Sequence, residues 1–395
     1  MYTSAYLCPL IVAIQKIDIT QFLELSALYP VLDVRSPGEY GHAHIPGAYG
    51  LPLFSDEERA AVGTAYKQES REAAVKLGLV YFGGKMRGMV EEVENLIANW
   101  QLAKENESRK LSEKKDKGLA VGARLPAEKK SLPIAHCLLV HCWRGGMRSA
   151  GVAWLLDLYG FKVYTLIGGY KAYRKWALAL FEKEYPFQIV GGYTGSGKTL
   201  VLKELEKQGQ AVIDLEGLAS HKGSAFGAMG EGKQPGQEMF ENLLAEKLRD
   251  MVHNPPTNIW LEDESQRIGN LRIPMPLWNT MRKSRVCFLD IPFEQRLNYL
   301  AEEYGKFEAE KLVNAIIRIK KRLGGLETKN AINHLLENNI TESFRILLAY
   351  YDKWYHKGLH NRDNVSALLN KISCPGVDTE ANTKKLLSCS VPANC

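Results

Sequence analysis

Apolar residues in this chain fall into short runs that end in glycine-rich or polar turns, and each run is followed by a longer helical periodicity. Val31-Leu32-Asp33-Val34 is such a run, closed by Arg35-Ser36-Pro37-Gly38, which reads as a turn. Residues 41–48 form a further loop, and 57–79 and 89–102 carry helical spacing. Residues 137–140 predict a buried strand that feeds the segment His141-Cys142-Trp143-Arg144-Gly145-Gly146-Met147-Arg148-Ser149, with a helix from about Ser149. Another strand over 163–166 leads through Gly168-Gly169 to a helix ending near Phe181. Tyr185-Pro186 interrupts the pattern. The alternation then repeats with strands over 187–190, 211–213, 258–261 and 286–291, and from Pro292 the chain is helical to about Tyr355. Strand–loop–helix repetition predicts parallel α/β sheets with their active loops at the carboxyl ends of the strands.

At 395 residues the chain exceeds one ordinary core, so two domains are expected, 1–184 and 185–372, with a polar tail over 373–395. Residues 104–130 hold nine basic and five acidic side chains and read as a solvated insertion loop, with a basic arm for RNA as the rival reading. The composition, 45% hydrophobic and 24% charged, is that of a soluble globular protein, and no apolar run is long enough to span a bilayer. The first 14 residues lack a basic leader and a small-residue cleavage site, so they read as ordinary chain. Seven cysteines without C-x-x-C spacing argue against a disulfide framework or a zinc site and for a reducing, cytoplasmic setting. A net charge of +6 admits a polyanion partner such as RNA without requiring one.

Two loops carry chemistry. Around Cys142, Gly145 and Gly146 let the backbone curl, and a following helix N-terminus favours an anion. Arg144 and Arg148 add charge, Arg148 being able to hold an oxyanion bidentately, and Ser149 is placed to cap the helix and bond the thiolate. Cys137, an odd offset away, reads as a core cysteine rather than a resolving one. The second loop, Gly192-Tyr193-Thr194-Gly195-Ser196-Gly197-Lys198-Thr199, is a complete G-x-x-x-x-G-K-[ST] cradle between a strand and a helix. There Lys198 would reach the outer oxygens of a diphosphate and Thr199 admits Mg²⁺, although no tightly bound cofactor is expected. Glu262-Asp263-Glu264 ends a strand; Asp263, then Glu262, are the candidate metal-orienting acids. Asp214 is a supporting acid or a helix cap, and 217–227 form a glycine-, serine- and histidine-bearing loop suited to a substrate.

Asp33-Val34-Arg35-Ser36-Pro37-Gly38-Glu39-Tyr40, His44-Ile45-Pro46-Gly47-Ala48 and the Cys142 loop resemble the rhodanese family, which adds Asp33 to the catalytic candidates. Five residues rather than the usual four separate Cys142 from Arg148, a spacing similar to that of cysteine-dependent phosphatases and suited to a tetrahedral phosphoryl group. Together with the phosphate loop, Asp214-Leu215-Glu216-Gly217, His221 to Gly227 and Glu262 to Gly269, these motifs resemble the tRNA 2-selenouridine synthase family over nearly all of 16–370. That resemblance implies a rhodanese-like parallel-sheet domain followed by a P-loop α/β domain with a helical C-terminal part. It also implies replacement of sulfur in wobble 2-thiouridine of tRNA by selenium from selenophosphate, through an S-geranyl intermediate made from geranyl diphosphate, with a selenophosphate supplier as a further partner. Arg318, Lys320, Lys321 and Arg322, with Lys311, form a basic helix face, and Tyr350, Tyr351, Trp354 and Tyr355 are stacking candidates; a packed helical subdomain with a solvated face explains them as well. A cysteine phosphatase or thiosulfate sulfurtransferase fused to a small-molecule kinase is the competing reading, and an inactive sensor module a third. The number of subunits is not legible.

Overall fold

The computed structural model describes residues 14–116, 137–253 and 255–389. It divides into two units, 1–177 and 178–395. The reading of the first 14 residues as ordinary chain lies almost wholly outside the described part.

The first unit runs β1 (Gln15–Ile17), α1 (Ile19–Ser26), β2 (Val31–Asp33), α2 (Pro37–His42), β3 (Tyr49–Gly50), α3 (Asp56–Gln68), α4 (Arg71–Gly83), α5 (Met86–Asp116), β4 (Cys137–His141), α6 (Met147–Tyr159), β5 (Lys162–Leu166) and α7 (Gly169–Leu180), the last carrying the chain across the division. Its sheet is wholly parallel in the order β1-β5-β4-β2-β3. The middle strand β4 is apolar without alternation because helices cover both of its faces, and Leu138, Leu139 and Val140 have no exposed surface.

Three sequence expectations change here. The helical spacing over 57–79 is two helices, separated at Ser70, whose hydroxyl caps α4 by accepting from Ala73 N–H at 3.0 Å. The spacing over 89–102 continues to Asp116, so the first half of the expected insertion loop is helix, and 117–130 lie outside the described residues. Lys and Glu are good helix formers, and charge density alone did not separate helix from loop. Arg35-Ser36-Pro37-Gly38 is not a free turn but the entry to α2, with Pro37 in the first turn, where its missing N–H costs nothing.

The second unit runs β6 (Phe187–Gly192), α8 (Lys198–Lys207), β7 (Ala211–Ile213), α9 (Leu215–Ala219), α10 (Gln237–His253), β8 (Ile259–Glu262), β9 (Arg267–Ile268), β10 (Leu271–Arg272), α11 (Met275–Lys283), β11 (Arg285–Asp290), α12 (Phe293–Tyr304), α13 (Ala309–Leu323), α14 (Gly325–Leu336), α15 (Ile340–His360), α16 (Val365–Leu368), β12 (Leu369–Ser373) and α17 (Thr379–Cys389). Five parallel strands lie in the order β12-β11-β6-β8-β7, and β9 and β10 form a small antiparallel hairpin. Helices α12 to α15 gather a second apolar cluster around Leu297, Ile316, Phe344 and Leu348, into which Phe226 also packs.

The tail is the largest correction. β12 pairs with β11 over five positions, and α17 lies on α8 with Leu386 fully buried beside Val201, Leu202 and Leu205. Residues 373–389 are therefore part of the core, and only 390–395 lie outside the described residues. Lys384, Lys385 and Ser388 gave the segment a polar look that hid one apolar contact face. No helix among the described residues is long and apolar enough to cross a membrane.

Leu386→Ala removes a buried side chain from the α17–α8 contact and is expected to cost about 2–5 kcal/mol in urea unfolding. A change indistinguishable from zero would mean that α17 is not docked in solution.

Candidate functional site

Each unit ends its middle strand in a glycine-bearing loop. In the first, β4 delivers Cys142 to the carboxyl edge of the sheet, and α6 begins at Met147. Gly145 has φ +65°, and a Cβ there would stand 2.4 Å from the Leu166 carbonyl oxygen, so only glycine fits the curl. The loop is tied to the β5–α7 turn by Tyr170 N–H and Lys171 N–H, which donate to the carbonyls of Cys142 (2.8 Å) and Trp143 (3.0 Å). Cys142 is buried, and its Sγ lies 3.3 Å from Ser149 Oγ. Ser149 is not the helix cap. Gly146 occupies that position, and Ser149 sits within the first turn, donating back to the Gly146 carbonyl at 3.0 Å.

The charged candidates separate. Arg144 is exposed at the loop rim. Arg148 is held by Glu39, Nη1–Oε2 2.6 Å and Nη2–Oε1 3.3 Å, so an incoming oxyanion would compete with a carboxylate already in place. Burial would raise Glu39, but the bonds and charge of Arg148 outweigh it and hold the carboxyl below its ordinary value. Asp33 has no exposed surface. Burial would raise it too, but His141, 3.7 Å away, and Arg35, which meets it through Nε (2.9 Å) and Nη2 (2.5 Å), keep it low and ionised. Arg35 Nη2 also reaches the Ala43 carbonyl at 2.7 Å, and its guanidinium lies over the Tyr170 ring at 3.9 Å. Asp33 thus belongs to the scaffold beneath the loop rather than to the reacting atoms. Burial also pushes His141 below its ordinary value, against the pull of Asp33. Cys137, at the far end of β4, is half-buried beside Tyr29 and is not the core cysteine expected.

In the second unit β6 leads into the phosphate loop and α8 begins at Lys198, so the first N–H groups of that helix have no intrahelical acceptor and are available to an anion. Gly195 has φ +80° and packs so closely that a Cβ would lie 3.1 Å from the Arg296 carbonyl oxygen and 2.8 Å from Leu300. Buried Arg296 braces the loop from behind, donating to the Thr194 carbonyl at 3.1 Å while paired with Asp352 at 2.7 Å. Gly192 N–H donates to Tyr355 Oη at 3.1 Å, Ser196 N–H donates to the Tyr193 carbonyl at 3.1 Å, and Ser196 Oγ is enclosed without a partner. Lys198 Nζ rests on the Gly192 carbonyl at 3.0 Å, and Thr199 Oγ1 donates to Glu216 Oε2 at 3.0 Å.

The acids around this loop are not those favoured from sequence. Asp263 accepts from Tyr355 Oη at 2.7 Å and is paired with the buried Arg362, so it anchors α15. Glu262, fully buried, accepts from Glu216 N–H at 2.6 Å. Asp214 caps α9, accepting from Gly217 N–H at 2.7 Å. The carboxyl that meets Thr199 is Glu216, hydrogen-bonded in turn to Glu264. Alternation along an extended chain carried the missing signal, because Glu262 and Glu264 share one face and Asp263 takes the other. Burial raises Glu216, and raises Glu262 and Glu264 well above the carboxylate range, with mutual repulsion adding to the effect. Burial thus disfavours the charged form of each of these carboxyls beside Thr199.

Comparison with known proteins settles the family. The model of the tRNA 2-selenouridine synthase AAA domain matches residues 185–372. The tRNA 2-selenouridine synthase of Serratia proteamaculans is 34% identical over 84% of this chain and 87% of its own. Those of Sulfurovum sp. (30%, 84% and 88%) and Bdellovibrio bacteriovorus (33%, 84% and 89%) are similarly alike. The chain belongs to the tRNA 2-selenouridine synthase family. It is therefore an enzyme, and the parallel α/β architecture with a P-loop unit and a helical C-terminal part, expected from its sequence, is what the fold holds.

Within this family member the weak RNA-contact candidates also divide. Arg318 and Arg322 line a cleft, whereas Lys320 and Lys321 are exposed on other parts of α13 and Lys311 pairs with Glu308. Tyr351 accepts from Ala225 N–H at 3.2 Å and Tyr355 serves the phosphate loop, which removes both from the stacking candidates; Trp354 is exposed.

Asp33→Asn leaves Arg35 buried beside a neutral partner and is expected to cost about 3–5 kcal/mol of stability. Unchanged thermal unfolding with activity lost would instead make Asp33 a reacting group. Glu262 is raised, so its contribution to stability is full below about pH 4.3, the unfolded value, and is lost as pH rises towards the folded one. Glu262→Gln retains the acceptor for Glu216 N–H without a charge. Its melting temperature should exceed that of the parent at neutral and alkaline pH and match it under acid. Equal melting throughout would show that the carboxyl is not penalised.

Proposed function

We propose that this enzyme converts 2-thiouridine at the wobble position of tRNA into 2-selenouridine, in two chemical steps served by the two loops. The observation that carries this reading is the pairing, in one chain of this family, of a buried thiol at a helix entrance with a glycine-rich phosphate loop whose Thr199 meets a buried glutamate. In the first step the thiouridine sulfur bonds to C1 of geranyl diphosphate, the C–O bond breaks, diphosphate departs with the electron pair, and the pyrimidine loses its N3 proton. Lys198 and the N–H groups of α8 stabilise the charge that develops on the departing oxygens, and the Glu216–Glu264 pair can supply a proton. Alkylation converts sulfur into a thiolate leaving group.

In the second step Cys142 Sγ bonds to the phosphorus of selenophosphate and the P–Se bond breaks, releasing hydroselenide. Selenium then bonds to C2 of the pyrimidine, geranylthiolate leaves with the C–S pair, and water clears the phosphoryl group from Cys142. Ser149, 3.3 Å from Sγ, positions the thiolate, and Arg148 meets the phosphoryl oxygens once Glu39 yields. A selenophosphate-forming enzyme must supply the donor. A magnesium ion accompanying the diphosphate would meet Thr199 and Glu216; among the described residues no group of three or more His, Cys, Asp or Glu side chains is arranged to hold a metal. The reaction is placed in the cytoplasm, where tRNA and reduced cysteines coexist.

Mass spectrometry of tRNA nucleosides after incubation with both donors tests the assignment. Cys142→Ser should stop selenouridine formation while S-geranyl-2-thiouridine accumulates. Lys198→Ala should slow geranyl transfer by about 10²–10³. Normal geranylation by the Lys198 variant, or continued selenation by the Cys142 variant, would defeat the corresponding step.

A further inference from the structure

Beside the phosphate loop, within the second unit, lies an open cleft of about 600 Å³, a volume in the range of ordinary ligand sites. Arg318 and Arg322, one turn apart on α13, form one wall, and Arg267 and Asn270 of the β9–β10 hairpin form another. No carboxylate belongs to the lining, and among the described residues none of the three arginines has an acid within ion-pair distance. His221, at the floor, has its Nδ1 enclosed without a hydrogen-bond partner. Burial, with the charge of Arg318, pushes that ring below its ordinary value, so it is a neutral imidazole able to donate and to accept. Three guanidiniums with no carboxylate in the lining, and an imidazole among them, select a ligand with several anionic oxygens and a hydroxyl, which is the chemistry of a ribose-phosphate chain.

Position narrows the choice. Gly223 lines the cleft, and a Cβ on it would stand 2.7 Å from Glu264 Oε2 and 3.1 Å from Glu216 Oε1. Those two carboxyls are the acids that meet Thr199 of the phosphate loop. Gly223 and these two glutamates are therefore what stands between the cleft and Thr199 of the phosphate loop. We propose that this cleft grips the ribose-phosphate backbone of the tRNA anticodon loop next to the nucleotide being modified, so that the base reaches the diphosphate cradle across Gly223. This assignment rests on the function proposed above. It separates Arg318 and Arg322, which touch RNA, from Lys320 and Lys321, which share the helix but do not line the cleft.

The test is a fluorescence-anisotropy titration of labelled tRNA against the full chain over a series of salt concentrations. Arg318→Gln with Arg322→Gln should weaken binding by about tenfold and flatten the salt slope by about 1.4, the value for two phosphate contacts on a single strand. Lys320→Gln with Lys321→Gln should leave both unchanged. All four side chains are exposed, so neither double variant threatens folding. An arginine variant that binds tRNA like the parent, or a lysine variant that loses as much, overturns the assignment and leaves the functional reading standing. A tenfold rise in KM for geranyl diphosphate with tRNA affinity intact gives the cleft to the diphosphate and overturns it too. A parent chain that shows no affinity for tRNA brings down both the functional reading and the cleft with it.

Discussion

An anion held by backbone N–H groups needs a chain that turns more tightly than a Cβ permits, and the turn must be pressed against something that stops it from opening. Both loops of this protein meet that demand in the same way. Gly145 backs onto the Leu166 carbonyl, and Gly195 backs onto the Arg296 carbonyl. A side chain at Gly145 would collide with main chain, and one at Gly195 would strike the Leu300 side chain and press on the Arg296 carbonyl. The remaining architecture follows from placing such loops at the carboxyl edge of a parallel sheet, where the middle strand supplies rigidity and the next helix supplies its dipole.

Buried charge keeps the loops in place. Arg35 with Asp33 lies beneath the thiol loop, while Arg296 with Asp352 and Arg362 with Asp263 brace the phosphate loop. Such pairs add little net stability over apolar packing, but breaking one leaves a charge without a partner, so each fixes a geometry more than it adds to stability. The glutamates have the opposite role. Burial and mutual repulsion raise Glu216, Glu262 and Glu264, so their charged forms are disfavoured where Glu216 meets Thr199.

Much of the fold was legible because its signals are local. The strands over 211–213 and 163–166 match the expected ranges almost residue for residue, since a strand of a covered parallel sheet is rich in apolar and β-branched residues. Helix ends were less legible. Ser70, an ordinary serine in the sequence, ends one helix spacing and caps the next, and Lys104 onwards looked like loop because its charges hid its helix propensity. β12 and α17 were missed for a further reason. Their worth lies in pairing with β11 and packing on α8, partners far away in the chain.

The sequence by itself determined the two loops and their order, because a glycine-bearing turn between an apolar strand and a helix start is specified within about ten residues. Which side chains then work at those loops was decided only by tertiary structure. Asp33 and Asp263 turned inward to buried arginines, Arg148 met Glu39 from over a hundred positions away, and Glu216 rather than the expected Asp263 reached Thr199. A carboxylate's role depends on the charge beside it and the water left around it, and both are set by the fold rather than by its neighbours in the chain.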